Sequence, residues 1–139
     1  HRTKPIHRGG FYIHLDSADS FIASGFWDPN KDDLFRMRKE IEVDHEYFRK
    51  KIDDKRVHEM WGGMNGDKLK TSPKGFDKDH PANDLLQFKQ YIFTKKVESK
   101  IICSDGFESF IVNHFKALLP VLDYMGEVLN TNLDGESLL

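Results

Sequence analysis

The densest polar cluster in the chain is Asp77-Lys78-Asp79-His80-Pro81, followed by Asp84. Three carboxylates and one imidazole within eight residues could bind a divalent cation through oxygen and nitrogen donors, with Asp77, Asp79 and His80 as the ligand set. Lys68, Lys70 and Lys74 lie just upstream and precede a predicted helix start near Pro81 or Asn83. Ammonium groups and the unbonded N–H groups of a helix start both favour anions, so Lys68, Lys70, Lys74, Gly75, Asp77, Asp79, His80 and Asp84 form a candidate site for a phosphate or carboxylate. His80 is then the candidate catalytic residue, because a histidine exchanges protons near neutral pH. The same residues also suit a purely structural role. Asp79 or Asn83 could cap the next helix, Asp77 could pair with Lys68, Lys70 or Lys74, and His80 before Pro81 would be extended.

Other residues with reactive side chains read more plainly. His114 falls on the apolar side of a helical pattern and reads as a core or interface histidine. Cys103 lies between Ile101-Ile102 and a helix start, and reads as a small buried residue. Tyr12 and His14 share one strand face. The sequence contains no EF-hand spacing, no His-Glu-x-x-His, no Walker or dinucleotide-binding glycine loop, no Gly-x-Ser-x-Gly and no zinc-type cysteine spacing. No particular cofactor is indicated.

The elements that must position these residues follow from periodicity. Phe11, Ile13 and Leu15 alternate with Tyr12 and His14, which predicts a half-buried strand. A second strand over Ser20–Trp27 follows a polar link and makes a hairpin, with Gly25 marking a bulge or a close backbone approach. Asp28-Pro29 predicts a helix start with Asp28 as N-cap, and Leu34, Met37 and Ile41 supply its apolar face. Asp44 restarts the pattern as a second N-cap, with Val43 and Phe48 as a hydrophobic staple and Tyr47, Phe48 and Ile52 as the apolar face. A short helix through Val57, Met60 and Trp61 ends at Gly62-Gly63. Residues 62–83 are irregular and long enough to be either functional or disordered.

A short helix over Asn83–Phe88 and a strand over Tyr91–Val97 come next, with Lys95 and Lys96 guarding a sheet edge. Asp105-x-x-Glu108 reads as a capping box for a long final helix, in which Pro120 predicts a kink. The fold class is therefore α+β: an antiparallel sheet with a hairpin near the N-terminus, packed against several helices including a long C-terminal one. One domain over residues 1–130 with a frayed tail at 131–139 fits the pattern.

Composition narrows the classes. The 139 residues include 11 Phe, 4 Tyr and 2 Trp, too many for a disordered chain. No apolar run approaches the roughly 20 residues that span a bilayer. The net charge of -2 hides blocks of +3 (residues 1–10), -4 (11–67), +4 (68–100) and -5 (101–139). With pI ≈ 6.4 and no basic stripe, nucleic acid is disfavoured as a partner. A small anion drawn to the +4 block is the preferred partner. The single cysteine suits a reducing, cytoplasmic setting.

Three stretches carry a family resemblance: Gly9-Gly10-Phe11-Tyr12-Ile13-His14-Leu15, Ser20–Trp27, and Asp67–Pro81. Their most specific part is Lys74-Gly75-Phe76-Asp77-x-Asp79-His80-Pro81, with Asp84-Leu85-Leu86 and Lys89 downstream. Over residues 9–130 the chain resembles domain-of-unknown-function family 2461, a set of bacterial and fungal proteins without an established biochemical role. The resemblance carries over Lys70, Lys74, Gly75, Asp77, Asp79, His80 and Asp84 as motif positions without assigned roles. It also implies that this chain, which opens on His1, corresponds to the C-terminal two-thirds of a family member and lacks an upstream Arg/Asp/Arg-Phe/Asp-Lys/Tyr signature. Three functions stay open: binding or turnover of a small anionic ligand, a non-enzymatic structural or protein-interaction domain, and metal-dependent hydrolysis.

Overall fold

A computed structural model describes residues 9–137. Its elements run β1 (Gly10–His14), β2 (Phe21–Phe26), α1 (Lys31–Ile52), α2 (Lys55–Trp61), α3 (Asn83–Leu86), β3 (Tyr91–Lys96), α4 (Ser99–Ile102) and α5 (Phe107–Leu129). The strands form one antiparallel sheet in the order β1-β2-β3. This is the expected α+β architecture with its long C-terminal helix.

The register sorts the side chains by face. Phe11, Ser24 and Phe93 lie abreast across the three strands. On this face Phe11 meets Phe115 of α5, and Tyr91 meets Phe48 of α1. The helices therefore cover this side, and Ile22, Ser24, Phe93, Met37, Ile41, Phe48, Leu118, Leu122 and Met125 are fully buried there. Each such large apolar side chain contributes roughly 1.5–3 kcal/mol through its removal from water. Gly25 sits where β3 crosses closest: its φ is 142°, and a Cβ there would strike the Tyr91 carbonyl oxygen. The expected close backbone approach is the reason for glycine at this position.

Several local expectations need correction. The half-buried β1 is instead exposed on both faces, with Phe11 50%, Tyr12 50% and Ile13 43% exposed, and Leu15 just past it 60% exposed. It is the edge strand, and ring contact with Phe115 is a limited cover. The N-cap of α1 is Asn30, whose side chain accepts the Asp33 N–H at 2.9 Å, so Asp28-Pro29 stays outside the helix. Two good capping residues stood two positions apart, and the nearer one won. Val43 is 81% exposed, so it staples nothing to the buried Phe48. Gly106, not Asp105, occupies the N-cap of α5, and no side chain bonds that end. Ile101-Ile102 belong to α4, and Cys103 is exposed.

Asp44 behaves as its sequence suggests. Its dihedrals (φ -144°, ψ 63°) break α1, and its carboxylate accepts the Tyr47 N–H at 3.3 Å. Gly62 ends α2 with φ 78° and returns its N–H to the His58 carbonyl. Past α5, Arg36 reaches back to hold the Thr131 carbonyl and hydroxyl.

His114 is the buried core histidine. Its ring packs on Phe110 and Trp61, and its carbonyl accepts the Trp61 indole N–H at 2.7 Å. Burial pushes its pKa below the ordinary 6.5. The unfolded chain then takes up a proton before the folded one does. Stability is complete above about pH 6.5 and falls as pH drops toward the folded-state value. His114→Phe keeps the ring contacts and removes the titration. Urea unfolding at pH 7.5 and 5.5 is expected to show a smaller acid loss in the variant; equal losses would refute this linkage.

Candidate functional site

Residues 62–88 are ordered by their own backbone bonds to later strands and turns. Asn65 exchanges both bonds with Ile92 (2.6 and 3.0 Å), Leu69 N–H reaches Gln87 O, and Lys89 N–H reaches Asp67 O. The central part of this segment then lies along α1. Phe76 is buried against Phe35, with the Lys39 ammonium 5.1 Å above its ring. One helical turn further, His80 meets α1 beside the Asp44 break. Further still, Arg49 grips Asp84 with two bonds of 3.1 and 2.6 Å. Arg38 closes the far end by donating to the Leu86 and Phe88 carbonyls at 2.9 and 3.1 Å.

His80 is the centre of this clasp. Its Nδ1 accepts the Ala82 N–H at 3.0 Å, which places the ring hydrogen on Nε2. Nε2 donates to the Glu42 carbonyl at 3.1 Å, and the ring edge packs on His45. Carbonyls in the last turn before a helix break lose regular partners, and Glu42 stands two residues before Asp44. The imidazole therefore ties a carbonyl beside the break to the loop. It also satisfies the backbone N–H of Ala82, the residue at the N-cap of α3, whose own side chain makes no cap bond.

The motif residues part company here. Asp77 accepts the Asp79 N–H at 2.9 Å instead of pairing with a lysine. The Lys68 ammonium sits 4.4 Å over the Phe88 ring. Gly75 adopts φ 87°, with open space where a Cβ would lie. Lys70, Lys74, Asp77 and Asp79 are exposed, and neither lysine forms an ion pair among the described residues. No group of three His, Cys, Asp or Glu side chains among the described residues could share a metal ion, so Asp77, Asp79 and His80 are not brought together as a ligand set.

The electrostatics follow from the same contacts. The Arg49 hydrogen bonds hold the Asp84 carboxyl below the usual range and push the Arg49 guanidinium up. Arg38 has no carboxylate partner among the described residues, and burial pushes its guanidinium down. Surface clefts of about 400, 340 and 480 Å³ lie elsewhere: between α1, α2 and α5, between the β1–β2 link and Cys103, and beside Gly9 and Trp27. None of these three is lined by residues 68–84.

Sequence reasoning passed over Arg38, Glu42, His45 and Arg49. Their spacing of four, three and four marks one stripe of α1. That stripe was legible as a polar face; its partner segment was not.

These features define a small α+β domain whose most distinctive loop is clasped to a broken helix. The profile of a family described as "Conserved hypothetical protein (DUF2461)" matches residues 1–124, and the chain belongs to that family. The match includes residues 1–8, ahead of the expected stretch, and stops at Tyr124 inside α5. No curated protein and no solved structure gives a significant match.

Replacing His80 tests the clasp. His80→Ala leaves the Ala82 N–H and the Glu42 carbonyl without their partner, at an expected cost of about 1–3 kcal/mol. Arg49→Ala removes a pair whose carboxylate is more than half exposed, and costs less than about 1 kcal/mol. Urea denaturation ranks the two, and a smaller loss for His80→Ala would refute the central role given to the ring.

Proposed function

We propose that this chain is a non-enzymatic protein-interaction domain that docks an extended polypeptide strand on β1. The observation that carries this reading is the exposure of Phe11, Tyr12 and Ile13 on a strand with one hydrogen-bonded neighbour among the described residues, with Leu15 exposed just past its end. Edge strands in proteins that act alone are guarded by lysine, proline or a bulge. Gly10–His14 has none of these. Strand addition satisfies the outer row of N–H and C=O groups, and apolar side chains on both faces add area. The state of His80 supports the same reading, because both ring nitrogens are committed to backbone groups and proton transfer would break the clasp. The pI ≈ 6.4 favours a protein over a nucleic acid as partner, and the single exposed thiol of Cys103 fits a cytoplasmic setting.

A random-peptide display library selected against the whole chain tests this. Binders should be extended, uncharged and rich in β-branched or aromatic residues, and the double variant Phe11→Lys/Ile13→Lys should lose them while keeping its fold. Binders indifferent to that variant would refute the reading.

A second reading keeps the small anionic ligand. Its support is the pair of exposed ammonium groups, Lys70 and Lys74, held on an ordered loop without ion-pair partners among the described residues. Phosphorylated or carboxylated metabolites should then raise the melting temperature of the wild type and not of Lys70→Ala. An unmoved melting temperature across such a panel would remove it.

A further inference from the structure

We infer that residues 70–82 form an acid-released strap, which neutral His80 holds shut on α1 and which a proton on His80 opens. The strap is independent of any docking on β1.

The backbone marks out its limits. At the base, Leu69 N–H donates to the Gln87 carbonyl at 2.8 Å, and Lys68 bridges Phe88. At the far end, Leu85 and Leu86 are buried, and Arg38 holds the Leu86 carbonyl. Between these anchors the main-chain bonds are local turns: Phe76 N–H to Pro73 O, His80 N–H to Asp77 O and Asn83 N–H to His80 O. A stretch with few bonds outside itself opens at low cost while the core stays folded. Two contacts lay it on α1. Phe76 packs against Phe35, and His80 Nε2 meets the Glu42 carbonyl at 3.1 Å, the strap's one hydrogen bond to α1 among the described residues.

That bond requires the hydrogen on Nε2, because Nδ1 accepts the Ala82 N–H at 3.0 Å. A proton added to Nδ1 sets one hydrogen against another. The Ala82 bond is lost, and the ring that anchors the strap must turn away. His45 adds to the conflict. Its ring stands edge-on to His80 at 5.5 Å, and its Nδ1 is buried without a hydrogen-bond partner among the described residues. Protons on both rings would set two like charges side by side.

The surrounding charges do not relieve this. On α1, Glu42 pairs with Lys39 at 3.1 Å, Asp44 accepts the Tyr47 N–H, and Arg49 takes Asp84 of α3. On the strap, Asp77 accepts the Asp79 N–H, and Asp77, Lys78 and Asp79 are exposed. No carboxylate among the described residues forms an ion pair with His80 or His45. In the open strap the His80 ring stands in water and carries its proton without conflict. The open state therefore binds more protons than the closed one, so the strap is shut above the histidine range and released as pH falls through it.

Amide spectra of the whole nitrogen-15-labelled chain, followed from about pH 7.5 to about pH 5, test the strap. The Gly75, Phe76 and Ala82 amides should move toward random-coil positions as the His80 ring takes up its proton. Exchange protection at Ala82 should fall roughly tenfold with the loss of its bond, while β2 and α5 keep theirs. His80→Gln retains one acceptor and one donor and does not titrate, so the strap should stay shut over the same range. His114→Phe should open as the wild type does, which separates this event from the core histidine. A His80 ring that becomes protonated while the Ala82 amide keeps its protection overturns the inference. So does acid opening of equal extent in His80→Gln. Should that variant already be open at pH 7.5, the wild-type titration decides alone, by whether ring protonation and loss of Ala82 protection coincide.

Discussion

The break in α1 at Asp44 governs how the loop half of this protein is held. A helix that loses its ladder in mid-course exposes backbone groups in a place that must otherwise be packed. Asp44 answers on the donor side by accepting the Tyr47 N–H. His80 answers on the acceptor side by donating to Glu42 O. The second ring nitrogen then fixes the start of α3 through Ala82. One imidazole thus ties together a helix break, a long irregular segment and a short helix that has no side-chain cap of its own. The contacts on either side are softer. The Lys39 ammonium over Phe76 and the Arg49–Asp84 pair are partly open to water, and such pairs contribute a few tenths to about 1 kcal/mol.

The hairpin half is organised by a different rule. Strand β2 is central, buried along most of its length, and admits β3 so closely at Gly25 that no side chain fits. Strand β3 is also shielded, by the Asn65 bridge on its outer side and by the helices on its face. Strand β1 has no such bridge among the described residues, and Phe115 of α5 covers its face only in part. Alternation in a sequence states which residues share a face, but says nothing about whether a layer lies over that face. That is why the sequence located β1 correctly and misjudged its burial.

Legibility divides along the same line. Signals that depend on neighbours in the chain were readable: the 3–4 spacing through Leu118, Leu122 and Met125, the restart at Asp44, the glycine stop at Gly62, and the need for glycine at position 25. Signals that depend on a distant partner were not. Asp84 beside three upstream lysines looked like part of their cluster, yet its partner is Arg49, 35 residues away. Asp77 had lysines within reach in sequence and took a backbone N–H instead. A carboxylate next to lysines in sequence can always be read as a pair or a ligand site; only the direction of the chain in space separates them.

The same ambiguity bears on what the family motif is for. Lys, Gly, Asp and His are the residue types of anion sites and metal sites, and they are equally the types that satisfy irregular backbone. The distinction lies in what remains unspent after folding. An imidazole with one nitrogen accepting and the other donating to main chain has no lone pair or proton left to offer without unmaking a structural bond. Among the described residues, the exposed ammonium groups of Lys70 and Lys74 and the outer edge of β1 are unspent in that sense. Between them, the strand edge carries the larger unmet demand, because apolar area and a row of backbone groups both stand in water there. Lysine heads in water demand nothing further. This asymmetry is the ground on which the proposed reading places the docking surface on the hairpin and not on the motif loop.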